Sequence, residues 1–414
     1  MTGVALCVGI AILTAGSGDL SASVGRLLPL WLLWSAGAAL AAFHQRGQAV
    51  LSPALLAVGI ALRGLMLGSP ASLSDDLWRY LWEGRVLLSG ENPFSLAPNA
   101  PELLALRNDT WAQVAHRDIP SIYPPLAQSL FAALSALYEA PISWKLLSGA
   151  ADVGTLWMLA KGARQRGIPA WAPTLYALHP LPILETAGSG HLEGVALFFA
   201  AWALTQEPGR ASFLSGLGAG VKVLPGALWI PLLRSAPKRA ALGAGLALLV
   251  LTAASLPLLD AGPALLGGFG SYYTHWGFNA SLFNLLRPLG AAARPVGTLL
   301  GAGFVGWAAW RLRDPAAFFL AVTGALVLLS PVVHPWYLLW PLLPALLRGR
   351  WEWAVLASTG LLSYAVLAGY DGHPETWKEP AWVVWAEYLP AAAAALWASR
   401  QRRSLGAGED PGAP

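Results

Sequence analysis

Residues 239–259, RAALGAGLALLVLTAASLPLL, decide the fold: one arginine precedes twenty residues without a charge. A helix needs about 20 mainly apolar residues to cross a bilayer, so this stretch predicts a membrane-spanning helix. Over the whole chain 56% of the residues are hydrophobic and 12% are charged, which is about half the charged fraction of a typical soluble domain. The composition therefore argues against a water-soluble fold.

Similar apolar segments recur along the chain, separated by short polar turns. The segments predicted to span a membrane are 4–16, 28–43, 50–68, 146–160, 170–185, 193–205, 239–259, 296–310, 316–331, 335–347, 351–369 and 381–398. Between 211 and 233 the pattern predicts two half-length helices that meet at Lys222 and Pro225, because a lone lysine at mid-bilayer is costly. The sequence thus predicts an all-α fold, a polytopic transmembrane bundle of about 12–14 helices. It forms one domain over residues 1–403, followed by a disordered tail, 404–414, rich in Gly, Ala and Pro.

Lysine and arginine in short loops indicate the cytoplasmic face of a membrane protein. The basic turns all fit that face if residues 124–138 do not cross, and form a juxtamembrane or re-entrant helix after the break at Pro124 and Pro125. The polar segment 69–123 then lies outside the cytoplasm as a candidate catalytic loop. This orientation explains the net charge of +4. We therefore expect membrane lipids as partners and no nucleic acid, since no basic patch interleaved with aromatics is present.

The most informative polar motif is SDDLWRYLWEGR, residues 74–85. On a helix capped by Ser74, the side chains of Asp76, Tyr80 and Glu83 share one face, with Arg79 beside them. One interpretation is an amphipathic surface helix whose acidic residues only cap it. The other is a carboxylate at the membrane surface that acts as a general base on an acceptor hydroxyl.

Two basic residues are candidates for binding a lipid phosphate. Lys222 is a solitary lysine within an apolar stretch, and such residues are functional by default in a membrane, although a lysine can also extend its amine to the interface. His334 begins a helix on the predicted outer face. It could bind phosphate or sugar, or it could cap the turn.

A third group, Glu185, His191 and Glu193, lies in a predicted outer turn. These side chains could bind acceptor hydroxyls or hold the motif of residues 74–85 in place. As metal ligands they form a weak pattern without further donors, so no metal site is predicted. Four tryptophans adjoin a motif and are candidates for stacking on a sugar: Trp78, Trp82, Trp276 and Trp336.

Together these motifs resemble the polytopic GT-C glycosyltransferases, most closely the bacterial polyprenol-phosphate-mannose-dependent mannosyltransferases. The resemblance runs from about Leu65 to Pro344. It depends on the order of SDDLWRY with WEGR (74–85), GENPF (90–94), IYPP (122–125), HPL (179–181), Gly190 with His191, Lys222 with Pro225, NASLF (279–283) and HPWY (334–337).

In that family an aspartate of the first extracytoplasmic loop, four residues before an aromatic, is the presumed base. The resemblance assigns this role to Asp76, with Tyr80 as the aromatic and Asp75 as the alternative. It implies transfer of a hexose, and of mannose by resemblance only, from a polyprenyl phosphate to a glycan or lipid acceptor. The transfer would proceed with inversion, without a cofactor or required metal, at a bacterial inner membrane.

The remaining roles follow from the same resemblance. The donor phosphate would be bound by Lys222, Arg79 and His334. The sugar and acceptor would be bound by Tyr80, Glu83, Glu185, His191, Glu193 and Trp336. The family often has an aspartate in place of Glu193, so that residue is expected to serve in acceptor binding only.

The alternative from another class is a transporter or flippase of a lipid-linked sugar. Transporters usually carry internal repeats and broken helices at mid-membrane. This sequence shows no repeat, and its polar candidates gather on one face, which favours the enzyme. A catalytically silent member that only binds the lipid carrier is a third interpretation, which an intact Asp76 argues against.

Overall fold

The computed structural model describes residues 1–407, and this part of the chain consists of helices joined by short turns. The only extended pairing among the described residues is one parallel bridge between Phe278 and Val332. The all-α prediction is confirmed. The last helix runs to Ala407, so the predicted tail, 404–414, begins within it, and residues 408–414 lie outside the described residues.

The helices follow the apolar segments closely, and several begin at a proline or have a capping side chain. The first ten are α1 Thr2–Ala15, α2 Leu20–His44, α3 Pro53–Leu67, α4 Asp76–Leu88, α5 Asp109–Gln113, α6 Pro125–Tyr138, α7 Pro141–Gln165, α8 Trp171–Leu178, α9 Pro180–Ile183 and α10 Glu193–Ala203. The remainder are α11 Pro208–Val221, α12 Trp229–Ser235, α13 Pro237–Ser255, α14 Gly267–His275, α15 Ala293–Arg311, α16 Pro315–Leu329, α17 Leu339–Leu346, α18 Glu352–Thr359 and α19 Trp382–Ala407. Proline suits the first helical position because its missing N–H would be unpaired there anyway.

Two helical segments of the described chain are long and apolar enough to cross a membrane: Leu20–His44 and Pro237–Leu265. Shorter apolar helical segments are Thr2–Ala15, Pro53–Leu67, Pro125–Tyr138, Glu193–Ala203, Pro315–Leu329 and Glu352–Leu367. Length and composition alone thus identify two spans.

The predicted pair of half-length helices is confirmed. Helix α11 ends at Val221, and Lys222 has an extended backbone with φ of −145° and ψ of 136°. A 3₁₀ turn, Leu224–Leu228, then leads into α12. The break leaves Lys222 at a helix end, where its amine can reach a polar partner.

Helix α6 begins directly after Pro124, as predicted, and packs against α4. The contact requires Gly84, because any side chain there would collide with the backbone of Phe131 and with Ser135. Four buried rings complete the interface: Tyr80 stacks on Phe131 at 4.9 Å and meets Tyr123 and Trp144 edge-on at 5.1 and 5.3 Å. Helix α4 is thereby fixed against the helical core.

A buried ion pair joins α3 to α7. The Arg63 Nε lies 2.6 Å from the Asp152 carboxylate, and the two side chains are 3% and 0% exposed. The Tyr176 hydroxyl of α8 donates a hydrogen bond to the same carboxylate. Breaking such a pair from one side leaves a buried charge without compensation, so the three helices are held in one arrangement.

Candidate functional site

The first turn of α4 presents Asp76. Its backbone N–H donates to the Ser74 hydroxyl at 3.2 Å, but the N-cap position is held by Asp75, whose side chain makes no capping hydrogen bond. The Asp76 side chain is half-buried and that of Asp75 is exposed. The Tyr80 hydroxyl, one turn later, lies 3.5 Å from Asp76 Oδ2 and 3.5 Å from the backbone nitrogen of Leu192. Tyr80 therefore joins the candidate base to the turn that carries His191.

That turn begins with one π-helical segment, Leu184–Gly188, and such segments are frequent at functional sites. His191 Nδ1 lies 2.9 Å from Glu185 Oε2, and neither side chain is exposed. The Tyr364 hydroxyl donates to both Glu185 oxygens, at 2.8 and 3.0 Å. The Glu185 carboxylate is thus surrounded by His191 and Tyr364. Burial opposes protonation of His191, but hydrogen bonding and the charge of Glu185 outweigh it and raise the pKa of the imidazole.

Trp336 lies inside a stack of rings. Its indole is 4.4 Å from the His334 ring at an angle of 2°, and 4.0 Å from the His191 ring at 29°. Phe278 covers the outer side of His334 at 4.9 Å. Because two imidazoles stack against the indole and only 7% of the residue is exposed, Trp336 offers little surface on which a sugar could stack.

His334 starts the 3₁₀ turn Pro335–Leu338 but makes no capping hydrogen bond with its side chain. Burial lowers the pKa of His334 to about 3, although the charge of Asp76 acts in the opposite direction. The imidazole is therefore neutral near pH 7. It can donate one hydrogen bond to a ligand, but it does not bring a positive charge.

Lys222 forms an ion pair with Glu193, whose carboxylate is fully buried while the lysine side chain is 21% exposed. The ammonium lies 5.8 Å from the centre of the Tyr337 ring. The Tyr337 and Tyr272 hydroxyls are hydrogen-bonded to each other at 2.7 Å. Glu193 begins α10 two residues after His191, so the break after α11 and the turn before α10 bring the ammonium of Lys222 to the carboxylate of Glu193.

Arg79 and Glu83 are engaged elsewhere. The Arg79 Nε donates to Glu83 Oε1 at 3.0 Å, and its terminal nitrogens donate to the backbone carbonyls of Ala115, His116, Ile119 and Pro120. Glu83 Oε2 accepts hydrogen bonds from Ser121 and Gln128, at 2.7 and 2.5 Å. The two side chains are 10% and 2% exposed. They hold the segment 115–121 against α4.

The charge of Asp76 acts across the site. Burial first, and then this carboxylate, raise the pKa values of Tyr80 and Tyr123 well above the ordinary tyrosine value. Both phenols therefore remain protonated and available as hydrogen-bond donors. No group of three or more His, Cys, Asp or Glu side chains within residues 1–407 is arranged to hold a metal ion.

The sequence motifs did not indicate three tyrosines as site residues: Tyr272, Tyr337 and Tyr364. Tyr337 stands within the quoted HPWY motif, so its position was available from sequence. Tyr364 lies in an apolar segment, where nothing in the local pattern indicates that its hydroxyl meets Glu185, 179 positions away.

Comparison with known proteins identifies the family. A relative from Corynebacterium glutamicum, alpha-(1->6)-mannopyranosyltransferase B, is 26% identical over 441 residues, covering 89% of this chain and 71% of the relative. No solved structure matches. The model of glycosyltransferase family 87 matches residues 122–335, more than half of the chain. These matches confirm the resemblance to GT-C mannosyltransferases drawn from the motifs. The matched range contains Glu185, His191, Glu193, Lys222 and His334, whereas Asp76 precedes it. The chain belongs to glycosyltransferase family 87.

Proposed function

We propose that this glycosyltransferase moves a hexose, mannose by resemblance, from a polyprenyl-phosphate donor to a glycan or lipid acceptor on the extracytoplasmic face of a bacterial inner membrane. The relative's printed activity, mannopyranosyl transfer, supports the choice of sugar. Residues 1–403 form one polytopic membrane domain in this proposal, with residues 69–123 as its catalytic loop. Residues 124–138 lie along the membrane surface.

The outer surfaces of the helices support placement in a bilayer. Large apolar side chains project outward from several of them, including Leu249 of α13, 67% exposed, and Leu299 of α15, 71% exposed. Soluble monomers rarely expose large apolar patches, whereas lipid tails cover such side chains in a bilayer. This supports more crossings than the two identified by length and composition.

The convergence of distant residues carries the proposal. Tyr80 connects Asp76 to Leu192, and the two neighbours of Leu192 are His191 and Glu193. Glu193 in turn holds Lys222. His191 reaches Trp336 and, through it, His334. One potential base, one partly exposed ammonium and one neutral imidazole therefore share a site at which a lipid phosphate and a hydroxyl can meet.

The chemistry follows from these groups. Asp76 takes the proton of the acceptor hydroxyl while the acceptor oxygen bonds to the anomeric carbon. The bond from that carbon to the phosphate oxygen breaks, with inversion, and the phosphate leaves with its negative charge. Lys222 stabilises this charge in a partly dehydrated site, and His334 donates a hydrogen bond. Glu193 fixes the position of the ammonium.

The remaining candidates serve as supports in this proposal. Arg79 and Glu83 hold the segment 115–121 that borders the site. Glu185 orients His191, and Trp336 spaces His191 from His334. Asp75, exposed beside Asp76, stays the alternative base.

The test is transfer of radiolabelled mannose from polyprenyl-phosphate mannose to a panel of glycan and lipid acceptors by the purified protein. We expect Asp76→Asn to lower kcat by about 10²- to 10⁴-fold, the usual contribution of a general base, while donor binding persists. Asp109→Asn is the matched control, because Asp109 also begins a helix of the same loop and is exposed.

Wild-type turnover together with an equally active Asp76→Asn variant would exclude Asp76 as the base and direct the same test to Asp75. Donor binding without turnover on any acceptor, together with movement of the labelled lipid across vesicles, would instead support the flippase interpretation.

A further inference from the structure

Asn279 has an unusual backbone conformation beside the stack of rings. Its φ is +50°, in the left-handed region, and the only other residue with a side chain that adopts such a φ within the described chain is His116. Asparagine tolerates this conformation better than most residues, at some cost in energy. Such a conformation persists only when the surroundings impose it.

Two carboxylates from the C-terminal part of the chain impose it. Glu379 Oε2 accepts a hydrogen bond from the Asn279 backbone N–H at 2.8 Å. Glu387 Oε2, on α19, accepts one from the Asn279 side-chain amide at 2.7 Å. Both glutamates lie beyond the region matched by the family model, 122–335. Their role was therefore not indicated by the motifs or by the family match.

The hydrogen-bond pattern leaves two acceptors facing no donor. Asn279 Oδ1 and Glu387 Oε1 are both buried without a hydrogen-bond partner, and the residues are 4% and 1% exposed. No basic side chain within residues 1–407 forms an ion pair with Glu387. Glu379 is the nearby acid, and the backbone amide of Ser363 also faces the Glu387 carboxyl. An unpaired buried acceptor is costly, and an unpaired buried charge costs more.

One proton on Glu387 gives both of these oxygens a hydrogen-bond partner. A protonated carboxyl presents one acceptor and one O–H donor, the same arrangement that a primary amide presents in reverse. We propose that Glu387 is a positioning residue that binds the side chain of Asn279 head to head in its neutral form, and so fixes the turn on which the His334 stack depends.

The connection from Asn279 to the site is short. The preceding residue, Phe278, donates its N–H to the Pro331 carbonyl at 2.9 Å, and its own carbonyl accepts from Val333 at 2.8 Å. His334 follows directly and stacks on the Phe278 ring. A change in the backbone at Asn279 therefore moves the strand-like segment 331–333 and the imidazole that we place at the donor phosphate.

The kinetic part of the test rests on the proposed function. Glu387→Ala should lower kcat/KM for polyprenyl-phosphate mannose by about 10- to 100-fold, the effect of a displacement near 1 Å. Glu387→Gln should restore most of the activity, because its amide donates to Asn279 Oδ1 and accepts from Nδ2 as the neutral acid does. Glu352→Ala is the matched control: Glu352 of α18 is also buried, and it pairs at 3.1 Å with Arg402 of α19, the helix that carries Glu387.

A spectroscopic arm does not require activity. Wild-type protein should show the infrared C=O band of a carboxylic acid that is absent from Glu387→Gln, whether or not the chosen donor turns over. A wild-type carboxylate band at this position, together with a Gln variant as impaired as Ala, would overturn the proposal and indicate an ionised Glu387, as in a bound cation. Equal losses of kcat/KM in Glu352→Ala and Glu387→Ala would show that Glu387 contributes only to the packing of α19. This result would also overturn the proposal.

Discussion

Replacing Arg79 by Gln tests whether this arginine supports the catalytic loop or binds the donor. Its guanidinium pairs with Glu83 at 3.0 Å, with side-chain exposures of 10% and 2%, and reaches four backbone carbonyls of residues 115–120. Removing one partner of such a buried pair costs about 3–5 kcal/mol. The cost should fall on the segment 115–121, since this is the part of the chain that the arginine holds.

Amide hydrogen exchange measures the effect locally. A loss of about 3 kcal/mol in the free energy of opening accelerates exchange of the segment 115–121 by about 10²-fold, because each factor of ten corresponds to about 1.4 kcal/mol. Arg85→Gln on the same helix is the control: Arg85 pairs with Glu139 at 33% and 21% exposure, where such pairs contribute about 0–1 kcal/mol.

The outcome separates the two roles of Arg79. The structural role is supported if the segment 115–121 exchanges faster and the donor affinity falls no more than the opening of this segment accounts for. Unchanged exchange with a large loss of donor affinity would refute the reasoning and return Arg79 to the phosphate site predicted from sequence.

Two further predictions concern the ion pairs of the site. The double variant Lys222→Gln with Glu193→Gln leaves no buried charge unpaired, so it should fold. Its KM for the donor should rise by about tenfold or more, because a hydrogen bond to a charged group contributes about 1.5–3 kcal/mol. An unchanged KM would contradict phosphate binding by Lys222. Because folding raises the pKa of His191, its protonated imidazole stabilises the fold. This stabilisation is complete at pH values below the ordinary pKa of about 6.5, and it is lost as the pH rises through the raised pKa. The difference in thermal stability between wild type and His191→Gln should therefore shrink as the pH rises above about 6.5, and a constant difference would argue that the imidazole is neutral.

Local patterns predicted the helices well. Proline and apolar periodicity act within a few residues, so the start of α6 and the break at Lys222 could be read from the chain. The hydrogen bond from the Asp76 N–H to the Ser74 hydroxyl is equally local. These features depend on neighbours in sequence, which the sequence displays directly.

The partners of the site residues could not be read in this way. Arg79 and Glu83 lie beside Asp76 on one helix, and their spacing suits substrate binding as well as support. Only the position of segment 115–121 against α4 shows that both are occupied. The sequence likewise allows Trp336 to stack on a sugar, and only the structure shows that the rings of His191 and His334 stack against its indole.

The amino-acid sequence by itself determined the helical class, the approximate positions of the apolar helices, the family resemblance and the residue types available for glycosyl transfer. The tertiary structure decided which of those residues meet: Lys222 with Glu193, Glu185 with Tyr364, and Asn279 with Glu387. The physical reason is the range of the forces. Helix formation is governed by contacts three and four residues apart, whereas these pairs join segments 29 to 179 positions apart, and only the packing of the whole chain brings them into contact.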